Sequence, residues 1–175
     1  MMTKLTVEMR RTIRGRVLTH TFKEKEEALR TKLERIGDAI HEHLVGKSVL
    51  DAIATVPTDF LCMFHRAAVR IAGQDCDVPF SGPRPVRMGS FLGVVEGSHR
   101  LAEEWTSANS DVRALRASRK AAHAEIGAVL DSVTTLKRLQ EVWPECGPFV
   151  YGLVAVAASL PAVQIDNLNK SLGLK

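Results

Sequence analysis

The sequence predicts an α+β protein, mainly α, with a small β-hairpin or ribbon in the middle of the chain. Three observations carry this. Phe22, Leu29, Leu33, Ile36, Ile40 and Leu44 recur at helical spacing as one apolar stripe. Between Gly73 and Gly97 the chain carries five glycines and three prolines, a density that no long helix tolerates. The stretch from Thr134 to Trp143 then reads as a capped amphipathic helix stopped by Pro144. With 175 residues the chain suits a single domain, helical over 1–57, β- and loop-rich over 58–97 and helical over 98–175. That length buries roughly 70% of the surface of the unfolded chain.

Taken in order, Thr6 is placed to cap a first helix, with Glu8 near its positive end and Met9, Ile13 and Val17 as its apolar side. Gly15 weakens that helix. Thr21 with Glu24 forms a capping box for a second helix, unless the two are one bent rod with its weak point at His20. Gly46 is a reasonable stop, and Lys47 to Pro57 is a short helical turn. Phe64, Val69 and Ile71, with Arg66 and Arg70 between them, suggest a strand that turns at Ala72-Gly73-Gln74-Asp75. Strands in this region are expected to be short. Ser98 caps a brief helix over Leu101 to Trp105, and Ser110 begins a longer one reaching Leu130, with Val112, Leu115, Ala122, Ile126 and Val129 on its buried side. Thr134 caps the helix that ends at Trp143. The apolar run from Phe149 to Pro161 and the segment Ile165 to Leu172 are expected to pack on the long helices.

Apolar residues at 45% and charged residues at 25% are the balance of an ordinary globular protein, which excludes extensive disorder. Aromatics at 5% are too scarce for a platform that stacks single-stranded bases. A net charge of +4 suits nucleic acid or an acidic protein surface and argues against DNA mimicry. Cys62, Cys76 and Cys146 are widely spaced and read as reduced thiols. The opening Met1-Met2-Thr3-Lys4 leads into a charged amphipathic segment, so no signal peptide is expected, and no apolar run reaches the ~20 residues needed to cross a membrane. A cytoplasmic protein without a membrane partner is the expectation.

No catalytic, metal or cofactor constellation stands out. His41-Glu42-His43 places its imidazoles on opposite sides of a helix, so a solvated helix end is expected there. Gly89, Gly93 and Gly97 lack a phosphate-cradling pattern and are assigned to turns with positive φ. Cys76 lies between Asp75 and Asp77, a poor setting for a nucleophilic thiolate. The basic faces are the better candidates. Arg10, Arg11 and Arg14 share a side of the first helix, with Arg16 more peripheral. Arg113, Arg116 and Lys120 follow helical spacing further on, flanked by Arg119. Such clusters can neutralise phosphates or meet an acidic protein. Trp143-Pro144-Glu145 is read as a packed helix end, because proline cannot extend the helix.

Four places resemble a bacteriophage family, the fifth of the nucleotide-modification-associated domains. They are Lys4-Leu5-Thr6, the run from Phe22 to Leu29, and Thr134-Thr135-Leu136 leading to Trp143-Pro144-Glu145. The fourth is Leu160-Pro161-Ala162-Val163 with Leu168-Asn169 and Leu172-Gly173-Leu174. They frame the chain and leave residues 45–130 poorly matched. The resemblance implies a small phage accessory protein made in the cytoplasm of the infected bacterium. It carries over no catalytic residue, because the matching positions are structural in type. The expectation is a non-enzymatic protein that binds phage DNA, its modification machinery or a host defence complex. The alternatives are a virion component, favoured by helical stripes left apolar once the core is filled, and a nucleotide- or base-modifying enzyme. A deep pocket lined by Asp75, Asp77, His65 or His99 would favour the enzyme. The long helical stripe suits pairing with a second copy and burial within one domain equally.

Overall fold

The computed structural model describes residues 3–57, 59, 61–85 and 91–153. The elements run α1 (Val7–Val45), α2 (Lys47–Ile53), β1 (Met63–Ile71), β2 (Gln74–Pro85), β3 (Phe91–Val95), α3 (Arg100–Asp131), α4 (Leu136–Val142) and α5 (Gly147–Val150), with a 3-10 turn at Pro144–Cys146. The class is the predicted one, mainly α with a small central sheet. No helix among the described residues is long and apolar enough to cross a membrane.

Local signals account for several boundaries. The Met9 amide donates to Thr6 Oγ1 at 3.2 Å, so Thr6 caps α1 as its position predicts. Gly46 stops α1 with φ +84, a conformation glycine adopts freely. Ala72 and Gly73 both have positive φ, +48 and +80, which makes the β1–β2 connection a two-residue primed turn matched to strand twist.

Other boundaries differ from expectation. Of the two arrangements expected for the N-terminal stretch the structure shows the single helix, α1, so the capping pair Thr21 and Glu24 lies inside it. Ser110 likewise lies inside α3, and the first turn of that helix is capped by the His99 ring, whose Nδ1 accepts from the Leu101 amide at 3.2 Å. Thr135 rather than Thr134 caps α4, accepting from the Arg138 amide at 3.2 Å. Polar residues with cap-like spacing compete with a continuous helix only where packing leaves the backbone free to break. β2 is 12 residues long rather than short. It tolerates Pro79, Pro83 and Pro85 because it is an edge strand: the order is β2-β1-β3, with β1 antiparallel to β2 and parallel to β3. Of the glycines assigned to positive-φ turns, Gly93 has φ +158 beside an irregularity within β3, Gly97 has no positive φ, and Gly89 lies outside the described residues. The tail from Val154 onward, including Leu160-Pro161 and Ile165 to Leu172, also lies outside them.

The chain divides into two compact units, Met1–Lys23 with Ser118–Lys175, and Glu24–Ala117. In the first, Leu5, Met9, Ile13 and Phe22 are buried, as are Ile126, Leu130, Leu136 and Leu139. A β-bridge joins Lys4 to Thr135: the Leu5 amide donates to the Thr134 carbonyl at 2.8 Å and the Leu136 amide to the Thr3 carbonyl at 3.1 Å. In the second unit the inner face of the sheet, with Ala67, Val69, Ile71, Val78, Phe80 and Val95, packs with Ile36 and Ile40 of α1 and with Leu101, Ala102, Trp105 and Ala108 of α3. Gly37 is where helix and sheet come closest. A Cβ there would stand 1.9 Å from the Pro79 carbonyl oxygen, so only glycine fits.

Candidate functional site

The predicted arginines fall into different chemical settings. In the first unit Arg10 is a clamp. Its Nε donates to the Leu130 carbonyl at 2.9 Å, Nη1 to the Leu5 carbonyl at 2.9 Å and Nη2 to the Val133 carbonyl at 2.8 Å. Two of these bonds satisfy carbonyls at the end of α3, where a helix leaves its acceptors open. Arg16 does the same for the carbonyls of Phe149 and Tyr151, at 3.0 and 2.9 Å. Arg14 is half-buried beside Gly127, while Arg11, Arg119 and Lys120 are exposed. Arg10 and Arg11 therefore sit in opposite settings despite adjacent numbers.

In the second unit Arg113 and Arg116 are exposed on α3, and each lines a different cavity. The Arg116 cavity has a volume of about 490 Å³. Leu29 and Leu33 of α1, Val112 and Leu115 of α3, and Pro79 and Phe80 of β2 form its apolar surface. The four aliphatic side chains belong to the stripes expected in the core, yet all are only half-buried. Charged groups ring the opening: Arg30 and Glu34 of α1, 3.6 Å apart, and Arg66 of β1 join Arg116, with Glu26 and His65 beside them.

An irregularity in the sheet builds part of that rim. Between the pairs Arg66↔Pro79 and Phe64↔Arg84, the single residue His65 faces Phe80 to Pro83 on β2. Such interruptions re-aim side chains. The looped-out segment is fastened to α1 by Asp38. That carboxylate accepts from the Ser81 amide at 3.3 Å and from the Ser81 hydroxyl, and it pairs with Arg84 Nη2 at 2.9 Å.

The second cavity, about 610 Å³, lies beside the β2 edge and is more polar. Asp75, Cys76 and Asp77 line it from β2, and Trp105, Asn109 and Arg113 from α3. Asp75 meets Arg70 through bonds of 2.8 and 3.2 Å, and Asp77 meets Arg66 Nη1 at 3.0 Å. The guanidinium of Arg70 holds the Asp75 carboxyl below its ordinary range, so this group is an ionised acceptor and not a proton donor at neutral pH. Arg70 also lies over the Phe91 ring, 5.7 Å from its centroid.

His41 corrects an expectation. It is not part of a solvated helix end but 2% exposed, with its ring edge-on to Phe80 and Nε2 without a hydrogen-bond partner among the described residues. Burial pushes its pKa down, against a hydrogen bond to the Pro85 backbone that pulls it up. His43 is exposed and stacks on His99, ring centroids 4.3 Å apart. Among the described residues no group of three or more His, Cys, Asp or Glu is arranged to hold a metal ion. Trp143 is half-buried at the end of α4, its amide donating to the Leu139 carbonyl at 2.7 Å, and Pro144 opens the 3-10 turn behind it. Glu145 is exposed, and burial pushes the Cys146 thiol up.

Sequence reasoning missed Gly37, Asp38, Ser81 and Arg84. Gly37 did carry a signal, since glycine inside a strong helical pattern costs ~1 kcal/mol against alanine and marks a close approach. The other three have none, because their partners are distant in the chain.

Comparison with curated proteins and with solved structures gives no match. A family model described as nucleotide modification associated domain 5 matches residues 4–175, including the central stretch that the quoted segments leave uncovered. Two of those segments, Lys4-Leu5 and Thr134-Thr135, are the ones that pair in the first unit. The chain belongs to the nucleotide modification associated domain 5 family.

Proposed function

We propose that the protein is a bacteriophage accessory factor that binds nucleic acid in support of nucleotide modification, in the cytoplasm of the infected bacterium. The observation that carries this reading is the state of the arginines on α3. Arg113 and Arg116 are exposed, make no ion pair among the described residues, and each stands at a cavity. Arg10 and Arg16, by contrast, are committed to backbone carbonyls. A guanidinium without a carboxylate partner is free to take a phosphate through two parallel bonds. The family description supports nucleotides as the setting. Arg11 and Lys120, also exposed, would add phosphate contacts of the same kind.

The test is binding to duplex and single-stranded DNA across a salt series. Changing Arg113, Arg116 and Lys120 together to alanine should weaken binding of all sequences alike. Each lost phosphate contact lowers the slope of log affinity against log salt by ~0.9 on duplex. Unchanged affinity and slope in the folded triple variant would reject the reading.

The second cavity supports a different reading, a nucleotide- or base-modifying enzyme, because Asp75 and Asp77 line it. Turnover of a nucleotide by the purified protein, abolished by Asp77→Asn, would favour that reading over binding alone.

A further inference from the structure

We infer that the cavity between Leu33 and Val112 is a nucleoside-phosphate pocket, in which an apolar slot takes the base and the arginine rim takes the phosphate. This rests on the nucleic-acid reading above and names the unit of nucleic acid that is held. Its volume of about 490 Å³ falls within the span of small-ligand sites. The slot is walled by aliphatic side chains from two helices, Leu29 and Leu33 on one and Val112 and Leu115 on the other. A base is flat, with two apolar faces, and is better covered by such walls than by water. All four are half-buried, Leu33 at the margin of the core of its unit, so part of this apolar surface is left uncovered by the described residues.

Charge selects the occupant. Arg30, Arg66 and Arg116 reach the same opening from α1, β1 and α3. Arg30 is held only loosely, by Glu34 at 3.6 Å with the arginine side chain 70% exposed, and such exposed pairs contribute little. A phosphate arriving at the rim therefore meets one guanidinium without an ion pair among the described residues, that of Arg116, and one that is readily surrendered. The rim carboxylates Glu26 and Glu34 repel a dianion placed against them. They suit hydroxyl and amino donors of a sugar and base instead. An acidic amphipathic peptide would also find apolar and basic groups here, but a pocket of this volume holds a few side chains and not the length of a helix.

The experiment measures binding of deoxynucleoside 5′-monophosphates, of the matching nucleosides without phosphate, and of a short single-stranded oligonucleotide to the full chain. Variants are Val112→Trp, which fills the slot, Leu115→Glu, which places a negative charge in it, and Arg116→Ala. The expected result is saturable mononucleotide binding, reduced at least tenfold by Val112→Trp and Leu115→Glu. Arg116→Ala should weaken the monophosphate but leave the nucleoside unchanged. Tighter binding of the oligonucleotide, with the same variant pattern, assigns the pocket to a nucleotide within a strand. Tighter binding of the monophosphate assigns it to the free nucleotide. Absence of mononucleotide and oligonucleotide binding to the wild type overturns the inference, as does binding undiminished in both slot variants or capture of an acidic helical peptide in their place. Salt-dependent duplex binding that survives in the slot variants while nucleotides fail to bind the wild type removes the pocket and leaves the proposed function standing. Loss of both removes the two together.

Discussion

The two compact units fasten their backbones by opposite means. In the unit built from Met1–Lys23 and Ser118–Lys175, a charged side chain does it: Arg10 bonds three carbonyls, two of them at the end of α3. In Glu24–Ala117 the fastening comes from the absence of a side chain, where Gly37 lets α1 meet the Pro79 carbonyl, reinforced by Asp38 on Ser81 and Arg84. The difference teaches that counting arginines does not locate a binding face. Arg10 and Arg116 look alike in sequence, but one completes the backbone hydrogen bonding of its unit and the other faces solvent at a cavity.

The sharpest way to break the comparison is Gly37→Ala. A methyl group 1.9 Å from a carbonyl oxygen forces helix and strand apart, and the expected loss is about 3 kcal/mol in a denaturant titration. Stability within about 0.5 kcal/mol of wild type would mean the close approach is absent.

The first unit should break at Arg10→Met. Three carbonyls lose their donors, and a destabilisation of about 2 kcal/mol is expected, against less than about 0.5 kcal/mol for Arg116→Met. Equal effects at the two sites would erase the distinction between a clamp and an open cation.

His41 sharpens the picture of the second unit through pH. Its folded pKa lies below the ordinary 6.5, so below pH 6.5 the unfolded chain takes up a proton that the buried ring resists. Stability is therefore fully present above 6.5 and falls as the pH drops toward the folded value. His41→Gln should flatten this acid limb. Parallel stability curves for wild type and variant would show that another group is responsible.

The smallest effect concerns the cap of α4. Thr135→Ala should cost about 1 kcal/mol, while Thr134→Ala, whose carbonyl and not its side chain holds Leu5, should be close to neutral. A reversal of that order would restore Thr134 as the cap.

Features decided by neighbouring residues were legible in the sequence. Thr6 capping α1, Gly46 ending it and the turn at Ala72-Gly73 each depend on a few local torsions and bonds. The false breaks at Thr21 and Ser110 arose because a cap pattern states what a helix start would look like, not whether packing permits one. His41 was read from helix geometry alone, yet what buries it includes Phe80, on a strand far along the chain. The apolar cavity was invisible for a related reason. Leu29 and Leu33 continue the same stripe as Ile36 and Ile40, and only the placement of the sheet determines which pair is covered. Of the predicted arginines, spacing is legible, but two of the three carbonyls that engage Arg10 arrive from beyond residue 129.

The prolines of β2 have a consequence for the behaviour of the protein in concentrated solution. An outer strand of a sheet is a template on which another chain can grow, the first step toward fibrils. Here Pro79, Pro83 and Pro85 offer no N–H along the outer strand, and Asp75 and Asp77 put negative charge beside its start. A second molecule docking edge to edge on β2 finds a charged and interrupted template, which disfavours amyloid-like growth from that edge.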